Sequence, residues 1–155
     1  MWIENVPASS IANRMHIDAG PNSMLIQILD PCSTFPVPKH QFKEIHPFEF
    51  LDIEDDDIAK GVFPEGVAIQ EDQAVEIARL LRHALENRMH VVVHCHAGLC
   101  RSGAVAEVGI MMGFQDTERT RIPNLRVKHK LLRALGMDFD PNESPLLFGT
   151  DKYNF

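Results

Sequence analysis

Ten consecutive residues constrain this chain more than any others: His94-Cys95-His96-Ala97-Gly98-Leu99-Cys100-Arg101-Ser102-Gly103. Three valines, Val91 to Val93, lead into them and a run of small residues follows. That order predicts a strand over 91–93 delivering Cys95 into a tight loop, with a helix beginning near Arg101. In such a loop the backbone N–H groups of His96, Ala97, Gly98, Leu99 and Cys100 can turn inward, and the helix N-terminus adds partial positive charge. The result is a cradle for a phosphoryl group. Gly98 permits the positive φ or close approach that a cradle needs. Arg101 supplies a planar fork for two phosphate oxygens. The same field favours the thiolate of Cys95, the form that attacks. Ser102 stands where its hydroxyl can help the sulfur leave, and His94 reads as a hydrogen-bonding group beside Cys95.

His-Cys, five residues, then Arg-Ser resembles the signature of the cysteine-based protein tyrosine phosphatases. The version His-Cys-x-Ala-Gly-x-x-Arg-Ser is most similar to the compact dual-specificity-like enzymes of bacteria and bacteriophages. Weaker similarity runs from about Met24 to about Leu135. The resemblance implies Cys95 as nucleophile, Arg101 as phosphate ligand and an upstream aspartate as general acid. In that family the acid follows a strand of alternating apolar residues. Phe48-x-Phe50-x-Asp52 fits, and so does Leu51-x-Ile53-x-Asp55. Asp52 stands first and Asp55 second, with the rest of the acidic run, through Asp57, expected to be a solvated loop. The spacing Cys95-x-x-x-x-Cys100-Arg-Ser also resembles the low-molecular-weight tyrosine phosphatases, in which a second cysteine can trap the first as a disulfide. Cys100 is either such a redox partner or a space-filling residue.

Two other cysteine and histidine chemistries compete. His90, His94, Cys95, His96 and Cys100 are crowded, and His40 and His46 lie elsewhere. A structural zinc site brings paired ligands from two segments, however, and would leave Gly98 and Arg101 without a task. No metal or cofactor is therefore expected. A rhodanese-type sulfur-transfer loop is shorter or differently built.

Around the loop, the pattern alternates strands and helices. A short helix over 11–15, capped by Ser9 or Ser10, is expected in an otherwise mixed N-terminal segment, 1–22. A buried strand spans 24–29 and ends at Asp30-Pro31. Pro31, Pro36 and Pro38 make 31–46 a loop, and Phe48, Phe50 and Ile53 mark a second strand. A helix over 70–88 buries Ala74, Ile77, Ala78, Leu81 and Leu85. The helix after the loop is apolar nearly all round and stops at Gly113. Asn124 caps a last helix that Gly136 closes. A tail over 137–155, carrying three phenylalanines and Tyr153, is expected to pack on the body as a strap. This alternation implies an α/β layer fold. The resemblance sharpens it to a central, mostly parallel sheet flanked by helices, with the catalytic loop at the carboxyl end of a strand.

With 155 residues, one phosphatase domain over 1–155 is expected. The formal net charge of −7 argues against a nucleic-acid partner. No apolar run approaches a membrane span, and the three cysteines make no disulfide framework, so the expected location is the cytoplasm. The expected activity is hydrolysis of phosphate monoesters through a phosphocysteine intermediate, with a phosphorylated protein or peptide as substrate. The alternatives are a phosphate-binding module without strong catalysis, or a phosphatase for RNA 5′-phosphates or phosphoinositides.

Overall fold

Five parallel strands form a single sheet in the order β3-β2-β4-β1-β5. The computed structural model describes residues 1–143. The strands are β1 (Trp2–Pro7), β2 (Ser23–Leu29), β3 (Glu44–Glu49), β4 (His90–Cys95) and the short β5 (Gln115–Asp116). The helices are α1 (Ala8–Asn13), α2 (Asp55–Ala59), α3 (Glu71–Glu86), α4 (Arg101–Met112) and α5 (Leu125–Leu135). The α/β architecture is therefore as the sequence predicts, with every strand pair parallel.

Strand alternation divides the core in two. Met24, Ile26 and Ile28 of β2 and Val91, Val93 and Cys95 of β4 face one side, where they pack with α3, α4 and α5. Leu25 and Val92 face the other and join Val6 and Ile11 under α1. Both faces of β2 are thus covered, which is why its apolar run is continuous rather than alternating. Helix α3 buries Ala74, Ile77, Ala78, Leu80, Leu81 and Ala84 on the sheet, while Glu71 and Asp72 complement the positive end of its dipole. Gln73 accepts the Gln70 N–H at 2.9 Å and so fixes the helix start. In α4 every residue from Arg101 to Gly109 is buried, matching its apolar circumference. The last helix begins where predicted, with the Asn124 side chain accepting the Val127 N–H, and ends at Gly136 in the left-handed conformation.

Three local expectations are corrected. Residues 2–7 form an interior strand rather than part of a mixed segment, and α1 covers 8–13, entered from Pro7 without a serine cap. Strand β3 begins at Glu44, inside the stretch expected to be loop, and ends before Phe50. Pro47 is tolerated there because β3 is an edge strand and one face of its ladder has no partner to lose. Part of the acidic run is the helix α2, started by Asp57, which accepts the Glu54 N–H at 3.0 Å. Of the tail, Phe139 packs partly buried against the main core, while 144–155, including Tyr153, lie outside the described residues. No helix among the described residues is long and apolar enough to cross a membrane.

Candidate functional site

Strand β4 carries Cys95 to the carboxyl edge of the sheet, where the chain turns through 96–100 into α4. Cys95 is buried. The Gly98 N–H donates to its Sγ at 3.2 Å, and the Ser102 Oγ lies 3.2 Å from the same sulfur. The loop thus closes over the thiol from both ends. Gly98 has φ +75°, and a Cβ there would sit 2.3 Å from the Pro7 nitrogen and 2.4 Å from the Val6 carbonyl carbon. Both reasons for a glycine therefore apply at once.

The floor of the loop is β1. Asn5 donates through Nδ2 to Gly98 O at 2.8 Å and to Thr120 O at 3.0 Å, and Ala8 N–H donates to His96 O at 3.2 Å. His94 is fully buried, with Nδ1 3.4 Å from Cys95 O and no partner for Nε2 among the described residues. Burial, aided by the Arg101 charge and opposed by the contact with Cys95 O, pushes its pKa down to about 4. With its pKa pushed that low, the ring adds no charge beneath the loop at pH 7.

Arg101 is almost wholly buried. Its Nη1 donates to Asp30 Oδ1 and to Phe50 O, both at 2.7 Å. Cys100 is half-buried, and burial first, then the Asp52 carboxylate and Cys95, push its thiol up to about 12.

A second segment, 121–126, ties the acidic stretch to this loop. Ile122 N–H donates to Leu99 O and Asn124 N–H to Cys100 O, both at 3.0 Å. The Asn124 Nδ2 donates to Asp52 Oδ1 at 2.8 Å and to Ile53 O at 3.1 Å. The Glu54 carboxylate accepts the Leu125 and Arg126 N–H groups at 2.9 Å each, capping α5. Burial raises the pKa of Glu54, with those two backbone bonds opposing. Asp55 points elsewhere, to Arg126 Nη1 at 2.6 Å, with its side chain 74% exposed. Of the two predicted acids, Asp52 is the one joined, through Asn124, to the Cys95 loop. On the other side of the loop an open cleft of about 360 Å³ lies between Ala8, Ser9, Leu29, Phe35, Pro36 and His96.

The chain superposes on the crystal structure of a human tyrosine phosphatase-like serine/threonine/tyrosine-interacting protein with a TM-score of 0.52 at 14% identity, covering 98% of this chain and 90% of that one. The fold is that of the tyrosine phosphatases. A structure of Tk-PTP in its active form is also similar, with a TM-score of 0.43 and 14% identity over 98% of this chain and 87% of that one. No family model matches the chain, and no curated protein does.

Within this tyrosine phosphatase fold, the predicted loop residues Cys95 to Ser102 converge as a unit with Asp52 beside them. Among the described residues no group of three or more His, Cys, Asp or Glu is arranged to hold a metal ion. Three residues at the site were not picked out by sequence reasoning. Asn5 lies on β1, whose apolar pattern does not mark it as a strand. Asp30 read only as a strand terminator, and its partner Arg101 is 71 residues away. Asn124 reads as a helix cap, but nothing local pairs it with Asp52, 72 residues away.

Proposed function

We propose that this protein is a phosphatase acting on phosphate monoesters, phosphotyrosine foremost and phosphoserine or phosphothreonine with it, through a phosphocysteine intermediate. The observation that carries this reading is the environment of the Cys95 sulfur: it receives a loop N–H from Gly98, lies beside the Ser102 hydroxyl and shares the loop with buried Arg101. A pocket that only captured phosphate would have no use for a nucleophile at its base.

In the first step the Cys95 thiolate attacks phosphorus, and the bond from phosphorus to the ester oxygen breaks. Asp52, protonated, gives that oxygen its proton. Arg101 and the loop N–H groups hold the equatorial oxygens, an electrostatic contribution made before the reaction begins. In the second step ionised Asp52 takes a proton from water, the hydroxide attacks the phosphocysteine, and the sulfur leaves as thiolate, helped by a hydrogen bond from Ser102. The cleft beside His96, walled by Leu29, Phe35 and Pro36, suits the organic part of an aryl ester. The compact bacterial and bacteriophage enzymes are the type this reading favours.

The test is hydrolysis of p-nitrophenyl phosphate and of phosphotyrosyl, phosphoseryl and phosphothreonyl peptides with EDTA present. We expect turnover that vanadate inhibits. Cys95→Ser should abolish it while inorganic phosphate still binds, because a serine hydroxyl is scarcely ionised at neutral pH. Turnover retained by Cys95→Ser would overturn the nucleophile. The second reading is a phosphate-binding protein, and the word "interacting" in the name of the human relative gives it standing. Phosphopeptide binding without turnover by the parent would establish it.

A further inference from the structure

Arg101 is a cation in a place that water barely reaches, its side chain 6% exposed. Such a charge needs compensation, and its donors need acceptors. The two hydrogens of Nη1 are both accounted for, one on Asp30 Oδ1 and one on Phe50 O. The Nε–H is different. It is buried and has no hydrogen-bond partner among the described residues. A guanidinium is a rigid plane. Two acceptors at one corner therefore fix how the whole plane is turned, and leave the Nε edge as the face with donors still to satisfy.

The sequence places Asp30 for this task. It follows Leu29, the last residue of β2, the strand next to β4, so it emerges at the same carboxyl edge as Cys95. Pro31 follows and biases Asp30 toward an extended backbone. Its side chain is 54% exposed, in contrast to Arg101. Water reaches a carboxylate in that position and can take its place as an acceptor when it is removed, and Phe50 O still accepts from Nη1, so the net worth of the pair to folding is small. Its effect falls on the orientation of the arginine.

We propose that Asp30 is a positioning residue for Arg101: with the Phe50 carbonyl it pins Nη1, so that the Nε edge of the guanidinium is presented to the phosphoryl oxygens. The inference rests on the reading of the loop as a phosphate site. It assigns Asp30 no contact with substrate. Because Asp30 holds only Nη1, an incoming phosphate does not have to displace it.

The experiment separates this from two alternatives. Inorganic phosphate binding is measured by calorimetry on the Cys95→Ser protein carrying Asp30→Ala, Asp30→Asn or neither, and kcat and KM for an aryl phosphate are measured with Cys95 intact. Asp30→Ala should weaken phosphate binding about tenfold and lower kcat as well, about the worth of one charge-assisted hydrogen bond. Asp30→Asn keeps an oxygen acceptor at the same reach and should stay within about threefold of the parent, with melting temperatures alike in all three. Tighter phosphate binding by Asp30→Ala would show that Asp30 competes with phosphate for Arg101 and would overturn the proposal. So would unchanged binding. Equal losses in the Ala and Asn variants would show that charge rather than orientation matters, which also overturns it. If Asp30→Ala does not fold, Asp30→Ser, too short to reach Nη1, is read in the same way; failure of both to fold would make Asp30 a stability residue. Absence of turnover in the parent would sink the phosphatase reading while leaving the phosphate-binding comparison intact.

Discussion

Asn124 donates its side-chain amide to Asp52 Oδ1 at 2.8 Å while its own backbone N–H donates to Cys100 O at 3.0 Å. One residue therefore locks the carboxylate of the acidic stretch to the loop that holds the sulfur. The lock distinguishes Asp52 from Asp55, which is held by Arg126 on the solvent side.

Asp52→Asn should lower kcat by about a hundredfold or more on alkyl phosphates, which depart poorly without a proton, and far less on p-nitrophenyl phosphate. Asp55→Asn should leave both rates near those of the parent. The comparison is the ratio of kcat on the two substrates for each variant. A contrast in Asp55→Asn alone would move the acid three residues on.

Asn124→Ser should divide the two tasks of this side chain. Serine is as good an N-cap as asparagine, so α5 and the melting temperature should change little. The amide that reaches Asp52 is lost, and activity on poor leaving groups should fall. A large drop in melting temperature, measured by calorimetry, would mean that the bond to Ile53 O holds the fold and not only the acid.

His94 predicts a pH dependence of stability. Its pKa falls from the ordinary 6.5 unfolded to about 4 folded, so between those values the unfolded chain binds more protons. Its stabilising effect is complete above pH 6.5 and is lost as pH falls toward 4, at a slope of up to about 1.4 kcal/mol per pH unit. Glu54, with its pKa raised, acts in the opposite sense. Imidazole NMR should show a His94 ring that stays neutral at pH 5.5, where a solvated histidine is mostly charged. A midpoint near 6.5 would refute the assignment.

Cys100 should be a poor resolving thiol. Attack on a Cys95 sulfenic acid requires a thiolate, and a thiol pushed up to about 12 supplies almost none at pH 7. Recovery by dithiothreitol after peroxide should be the same in the parent and in Cys100→Ser. Better recovery in the parent, with a linked Cys95–Cys100 peptide by mass spectrometry, would restore the redox role that the resemblance to the low-molecular-weight phosphatases implies.

The loop was legible because each of its constraints is local. A strand end, a glycine, a helix start and an arginine fall within ten residues. Helices α3 and α5 were legible for the same reason, their caps and periodicity lying inside their own segments. Strand β1 was not, because Glu4 and Asn5 interrupt its apolar pattern. Both are buried, and their partners, Arg119, Gly98 and Thr120, come about a hundred residues later, so their burial could not be inferred from neighbours in the chain. Strand β3 is disguised by Pro47 and by its polar face at the sheet edge. Asp30 and Asn124 belong to the same class as β1: residue types that end a strand or cap a helix, whose second task depends on the tertiary fold.

The pairing of Ile3 with Val91 in the middle of the sheet also bears on how the chain comes to be folded. During synthesis β1 emerges before the other described strands and waits longest for its neighbour, since β4 follows it by more than eighty residues. Until then its edges have no partner, and closing so large a loop is entropically costly and slow. The strand that supports the loop under Cys95 is thus committed only when Cys95 itself has emerged. Only β2 and β3 can pair before β4 arrives, so joining β1 to the sheet and assembling the site both wait for the segment that carries Cys95.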